Sequence, residues 1–83
     1  MADIESQVTG FIVDNFLFGD ASGAPGPEDS FIRHGLIDST GILELVAFLE
    51  STYSIKVDDE ELVPENLDSV RNIAQFVQRK REA

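Results

Sequence analysis

Apolar residues recur at helical spacing between positions 40 and 51, and this pattern constrains the fold more than any other feature of the chain. The residues at positions i, i+3, i+4 and i+7 are Ile42, Leu45, Val46 and Leu49. Such spacing places side chains on one face of an α-helix. Asp38 and Ser39 come directly before the pattern, and both are residue types that cap helix N-termini. The sequence therefore predicts a helix over Thr40 to Ser51.

Two further segments show the same periodicity. The first runs from Asp3, a plausible N-cap, to about Leu17. Its predicted inner face consists of Ile4, Val8, Phe11 and Asn15, with Ile12 and Phe16 on the flank. The last helix is predicted to open at Asp68 and Ser69. Its face consists of Val70, Ile73, Ala74 and Val77, with Phe76 on the flank.

The segments between these helices contain residues that break regular structure. Gly19 to Pro27 has three Gly and two Pro in nine residues, which predicts a long and mobile loop. The apolar residues expected to anchor the rest of the linker are Phe31, Ile32 and Leu36. Asp58 and Glu61 resemble a capping pair for a short third helix that Pro64 closes. We therefore expect one all-α domain over residues 1–83, a four-helix bundle with a long first loop and a short third helix.

Composition excludes several classes of function. Sixteen acidic and six basic residues give a formal net charge of −10, which repels nucleic acids and anionic membranes, so we expect partners with basic patches. The absence of Cys excludes disulfides, a Cys nucleophile and thiolate metal sites. The sequence shows no basic segment leading into an apolar run at its start, and no stretch of about 18 apolar residues. We expect a cytoplasmic monomer.

The chain has few residues with which to build a catalytic site. Its one histidine, His34, lies in the predicted loop and is interpreted as a solvated side chain. The acidic run Asp58-Asp59-Glu60-Glu61 lacks the alternating ligands, central Gly and distal Glu of an EF-hand, and it is interpreted as a solvated helix N-terminus. We expect neither an enzyme nor a specific metal site.

The most informative segment is Gly35-Leu36-Ile37-Asp38-Ser39, which leads directly into the apolar helix. Here the chain resembles the acyl carrier protein family, in which Gly-x-x-Asp-Ser at the start of helix two carries phosphopantetheine on the serine. The resemblance continues through residues 42–50, 53–58 and 66–70 and covers nearly the whole domain. A serine at a helix N-terminus is accessible, and the positive helix end favours the phosphodiester that it would acquire.

The resemblance implies a function and a set of site residues. Ser39 would carry 4'-phosphopantetheine derived from coenzyme A, and the thiol of this arm would hold an acyl or aminoacyl group as a thioester. The implied partners are a phosphopantetheinyl transferase, an acyl- or aminoacyl-loading ligase or transferase, and downstream synthases of lipid or secondary-metabolite biosynthesis. Asp38 would coordinate the transferase's metal ion or orient the serine, or it is simply an N-cap. The residues expected on the partner-docking face are Thr40, Leu43, Glu44, Ala47 and Glu50.

Two positions depart from the pattern of fatty acid synthesis carriers, in which a bulky aliphatic residue and then an acid follow the serine. Here these positions are Thr40 and Gly41, which favours a specialised carrier over the general one. Gly41 costs a helix about 1 kcal/mol relative to Ala. It either lets a partner's backbone approach or is simply tolerated. Leu43, Ala47 and Phe48 either contact partners or an acyl chain, or extend the core.

A second Asp-Ser pair, Asp68-Ser69, also precedes an apolar helix, so the dipeptide alone is weak evidence. Ser39 is preferred because it follows a Gly-containing loop, opens the most apolar helix and aligns with the family's modified position. The alternative function is that of a non-modified acidic helical module that only docks onto a basic partner. That alternative leaves the context of Ser39 unexplained.

Overall fold

The computed structural model describes residues 2–82, except for the side chains of Ala2, Ala21 and Ser39. Its α-helices are α1 (Ala2–Phe16), α2 (Phe31–His34), α3 (Ser39–Tyr53), α4 (Pro64–Leu67) and α5 (Val70–Glu82), and 3-10 turns span Ala21–Gly23 and Asp59–Glu61. The described part of the chain contains no β-strand. The all-α class is therefore confirmed. The four-helix layout is not, because three long helices are accompanied by two helices of a single turn.

The three long helices bury one face each around a common core. Its fully or almost fully buried members include Val8 and Ile12 of α1, Leu45 and Leu49 of α3, and Val70, Ile73, Ala74 and Val77 of α5. Burial of one such Leu or Ile side chain contributes about 2 kcal/mol to folding. The predicted inner face of α5 is confirmed.

The predicted inner face of α1 is confirmed at Ile4 and Val8, which are buried, and is wrong in the second half of the helix. Ile12, placed on the flank, is fully buried, whereas Asn15, placed on the inner face, is exposed. Asn15 Nδ2 donates a hydrogen bond to the Phe11 carbonyl at 2.9 Å. Helix α1 also begins at Ala2, so Asp3 lies within its first turn and is not its N-cap.

Side-chain contacts show that α1 and α3 run antiparallel. Three pairs mark the register: the Tyr53 hydroxyl donates to Gln7 Oε1, the Phe11 and Phe48 rings stack with centroids 4.3 Å apart, and the Phe16 ring lies against Gly41. Phe48 is therefore part of the packing between these two helices, as the core interpretation of this residue predicted. The end of α1 meets the beginning of α3.

The linker between α1 and α3 contains helix α2, which the sequence interpretation placed within a loop. Ser30 is its N-cap, because Ser30 Oγ accepts a hydrogen bond from the Arg33 backbone N–H at 3.1 Å. Phe31 is fully buried and Leu36 packs against the core, as predicted. The anchoring prediction is wrong for Ile32, which is 62% exposed. Adjacent helix residues point about 100° apart, so in this single turn Phe31 faces the core and Ile32 points away from it.

The predicted third helix also differs from the structure. A 3-10 turn at Asp59–Glu61 is followed by α4, and Pro64 begins that helix instead of closing the preceding one. Proline is well tolerated at the first helical position, where its missing N–H has no helical partner to lose. The capping pair is confirmed by the Asp58 backbone N–H, which donates to Glu61 Oε1 at 2.9 Å.

The junction between α4 and α5 fixes the linker. Asp68 Oδ1 accepts from the Ile32 N–H at 3.0 Å, and Asp68 Oδ2 accepts from the Ser30 hydroxyl. The backbone carbonyl of Asp68 also accepts from the Phe31 N–H at 2.8 Å. Three hydrogen bonds to one residue thus hold α2 against the junction. Within residues 2–82, no helix has the length and apolar character that crossing a membrane requires.

Candidate functional site

The site is built where the chain leaves α2 and enters α3. Gly35 ends α2 in the left-handed conformation, with φ of 66°, which turns the chain towards α3 at little steric cost for glycine. Ile37 is buried and Asp38 is exposed. The buried Ile37 therefore holds the start of α3 against the core while the residues around Ser39 reach the surface.

Asp38 is the N-cap of α3. It has extended backbone angles, and its Oδ1 accepts a hydrogen bond from the Gly41 N–H at 2.8 Å. The capping interpretation is thus confirmed, and this carboxylate satisfies one of the free N–H groups of the first turn. A role for Asp38 towards the transferase's metal ion stays a prediction.

Ser39 is the first residue of α3, and its side chain lies outside the described part of the structure. Its neighbours Asp38 and Thr40 are both exposed. A helix of 15 residues follows, and the N-terminus of such a helix carries a partial positive charge. A phosphodiester attached at this point would be stabilised by that charge.

The predicted docking residues lie on α3, and four of the five are exposed. Thr40, Glu44 and Ala47 are exposed, and Leu43 is exposed to 61% of its surface. Glu50 differs from these residues, because its Oε2 accepts a hydrogen bond from the Val57 N–H at 2.9 Å and the residue is half-buried. Its carboxylate therefore already stabilises the segment that follows α3.

The structure explains why position 41 is a glycine, which the sequence alone did not show. It is buried, and a β-carbon at this position would lie 2.9 Å from Phe16 Cε1 and 3.0 Å from Ile37 Cγ2. Both earlier readings, approach by a partner's backbone and simple tolerance, are therefore wrong. The glycine makes room for a side chain of the same protein.

An apolar groove beside the start of α3 was also missed from the sequence. It has a volume of about 160 Å³ and is lined by Ile32, Ile42, Leu62, Val63, Pro64, Leu67 and Asp68. The sequence interpretation looked for an acyl-chain contact at Leu43, Ala47 and Phe48, on other parts of α3. The available signal was the apolar Ile32 together with the apolar pair Leu62-Val63, in segments too short to show periodicity.

The second Asp-Ser pair has structural roles. Ser69 is only 5% exposed, and its Oγ accepts a hydrogen bond from the Asn72 N–H at 3.1 Å, which makes it the cap of α5. The carboxylate of Asp68 binds Ser30 and Ile32. The buried Ser69 hydroxyl is not accessible to a modifying enzyme.

The remaining candidate residues are solvent-facing. His34, the last residue of α2, is exposed, and so are Asp58, Asp59 and Glu60. Glu61 is bound to Lys80 Nζ at 2.9 Å. Among residues 2–82, no group of three or more His, Asp or Glu side chains is arranged to hold a metal ion.

Comparison with known proteins gives one informative match. No protein-family model matches the chain. Among curated proteins, the chain is similar to a protein of Serratia sp. (strain ATCC 39006) described as "Probable acyl carrier protein PigG". The two are 29% identical over 76 residues, which cover 92% of this chain and 86% of that relative. The similarity thus spans nearly all of both proteins.

Proposed function

We propose that this chain, which resembles the acyl carrier proteins over nearly its whole length, carries an acyl or aminoacyl group on a phosphopantetheine arm attached to Ser39. The observation that supports this most directly is the contrast between its two Asp-Ser pairs. Ser39 begins α3 between two exposed residues, whereas Ser69 is buried and hydrogen-bonded as a helix cap. In this function the protein is a substrate of its partner enzymes and not itself an enzyme.

Attachment of the arm is a balanced group transfer from coenzyme A. The Ser39 hydroxyl oxygen forms a bond to the β-phosphorus, and the bond between that phosphorus and the bridging oxygen breaks. Adenosine 3',5'-bisphosphate leaves, a base of the transferase takes the hydroxyl proton, and no electrons are transferred. The arm supplies the thiol that the Cys-free chain lacks, and this thiol holds the cargo as a thioester.

The residues around Ser39 fit this role in two ways. Ile37 and Gly41 are packed inside the protein, so the start of α3 is held in place on both sides of the attachment point. The positive end of α3 favours the negative charge of the new phosphodiester. The chain therefore offers a fixed and electrostatically suitable position for the arm.

We also propose that partner enzymes dock on the exposed side of α3 that carries Thr40, Leu43, Glu44 and Ala47. An exposed apolar side chain beside a carboxylate suits a partner surface with an apolar contact and basic residues around it. Thr40 is exposed at the position where fatty acid synthesis carriers have a bulky aliphatic residue, which supports a specialised carrier. Gly41 does not support a specialised carrier, because internal packing accounts for it.

The test is intact mass spectrometry after incubation with coenzyme A and a broad-specificity phosphopantetheinyl transferase. Wild-type protein should gain the mass of one phosphopantetheinyl group, and Ser69→Ala should gain the same mass. Ser39→Ala should gain none while circular dichroism shows a folded protein. Modification of folded Ser39→Ala would overturn the site. A folded wild-type protein that several transferases leave unmodified would favour the non-modified docking module.

A further inference from the structure

Phe18 combines two unfavourable features in the isolated protein. Its side chain is 95% exposed, the highest value among the large apolar residues of the described chain. Its backbone has φ of 54°, in the left-handed region that bulky L-residues avoid because of steric crowding. The fold thus places an aromatic ring in solvent on a strained backbone, and strain of this kind concentrates at functional positions.

The end of α1 does not by itself explain a phenylalanine at this position. The chain turns after Phe16, Leu17 packs against the core, and the Gly19 N–H donates to the Val13 carbonyl at 2.9 Å. A left-handed residue at a helix end is usually Gly or Asn, which adopt this conformation with less strain. Such residues would complete the same turn, so the Phe18 ring needs another explanation.

Phe18 lies at the same end of the molecule as the proposed attachment residue. The pairs of Gln7 with Tyr53, Phe11 with Phe48 and Phe16 with Gly41 advance together along α1 and α3. Phe18 follows Phe16 by two residues, and Gly41 follows Ser39 by two residues, so Phe18 lies at the end of the molecule where α3 begins. An enzyme whose active site receives Ser39 therefore approaches the end of the molecule that carries Phe18.

Two exposed carboxylates flank Phe18 in the chain. Asp14 and Asp20 are exposed, four residues before and two residues after Phe18. Asp20 Oδ1 accepts hydrogen bonds from the hydroxyl and the backbone N–H of Ser22, and these bonds lower the pKa of Asp20. An aromatic ring accompanied by negative charge is complementary to an apolar pocket bordered by Lys or Arg.

We propose that Phe18 anchors the phosphopantetheinyl transferase by inserting its ring into an apolar pocket with basic residues at its edge. The inference rests on the proposed function. The transferase fits better than the enzymes that act on the cargo, because the Ser39 hydroxyl itself must enter its active site. Cargo enzymes meet the thioester at the far end of the arm. The transferase must also hold polyanionic coenzyme A, so a basic surface beside its active site is expected.

The test compares wild-type protein with Phe18→Asn and Phe18→Tyr in steady-state phosphopantetheine transfer. Asn removes the ring and adopts the left-handed conformation easily, so the melting temperature should stay the same or rise. If Phe18 is an interface anchor, Phe18→Asn should lower kcat/KM about tenfold or more, mainly through KM for the carrier. Phe18→Tyr keeps the ring and should stay within about threefold of wild type.

The outcomes separate this inference from the proposed function. If wild-type protein is not modified, the proposed function fails first. If wild-type protein is modified and Phe18→Asn has an unchanged kcat/KM, the anchor is overturned and the carrier function stands. A lower melting temperature of Phe18→Asn together with slower transfer would assign the ring a structural role and would also overturn the anchor.

Discussion

Phe16 and Gly41 lie so close together that the position of Gly41 has no room for a β-carbon. Phe16 Cε1 would be 2.9 Å from that atom, and Ile37 Cγ2 would be 3.0 Å from it. The end of α1 and the segment before α3 therefore both pack against the first turn of α3. The glycine two residues after the proposed attachment serine connects the position of Ser39 to the packing of α1.

The Gly41→Ala variant should be less stable than wild type, although Ala is the better helix former. Helix propensity alone predicts a gain of about 1 kcal/mol, but overpacking in a core costs about 1–3 kcal/mol. Urea unfolding should show a lower midpoint. Gly10→Ala in α1 is the matched control, because its added β-carbon meets no atom within 4 Å and should stabilise by up to about 1 kcal/mol. Equal stabilisation by both changes would contradict the packing account.

Asp68→Ala should loosen the linker that precedes the site. The change removes a carboxylate that accepts hydrogen bonds from Ser30 and Ile32, and loss of such charged bonds costs about 1.5–3 kcal/mol. Amide exchange of Ile32 should become faster. The control is Glu28→Gln. The exposed Glu28 carboxylate lies 3.7 Å from the Arg71 guanidinium, and exposed ion pairs of this kind contribute about 0–1 kcal/mol to stability. A similar, small effect of both variants would rule out a special role for Asp68.

Glu61 should make stability depend on pH in the acidic range. The Asp58 backbone N–H and then the Lys80 ammonium hold the pKa of Glu61 below its ordinary value. Because the folded state has the lower pKa, the contribution of Glu61 is complete above the unfolded pKa and is lost as pH falls through the folded one. Glu61→Gln should therefore be less stable than wild type at pH 7, and the difference should shrink as the solution is acidified. A difference that is constant down to the acid transition would contradict this linkage.

Charge reversal at Glu44 should slow partner association without unfolding the protein. Glu44 is exposed on the proposed docking side of α3, and such charges act mainly on the association rate. Transferase kcat/KM for Glu44→Lys should fall at low salt, and the loss should shrink as salt is raised. The control is Glu5→Lys, which makes the same charge change near the first residues of α1. That end of α1 lies beside Tyr53, the last residue of α3, and therefore away from Ser39. Equal losses for the two variants would show an effect of net charge and not of a docking side.

The sequence predicted the long helices correctly as helices, because a long helix shows the apolar period within its own residues. Helices α1, α3 and α5 have 15, 15 and 13 residues, long enough for the apolar period to appear, although in α1 the period misplaced the second half of the inner face. Helices α2 and α4 have four residues each. A single turn shows no period, so the sequence placed α2 within a loop and read Pro64, the first residue of α4, as the end of a helix.

The sequence did not predict the roles of Gly41 and Asp68, because each role depends on residues far away in the chain. The role of Gly41 depends on Phe16, and the role of Asp68 depends on Ser30 and Ile32. No local pattern indicates such pairs. The N-cap role of Asp38 was predictable because its partner, the Gly41 N–H, lies only three residues away.

Tyr53 is an intrinsic spectroscopic probe of the packing between the long helices. Its hydroxyl donates to Gln7 of α1, its ring meets the Phe48 ring edge-on at 6.3 Å, and the Arg81 guanidinium of α5 lies 5.9 Å from the ring centroid. The chain has no Trp and no other Tyr. Tyrosine emission and near-ultraviolet circular dichroism therefore report on a point where the three long helices meet. Separation of α1 or α5 from α3 becomes visible without an attached dye.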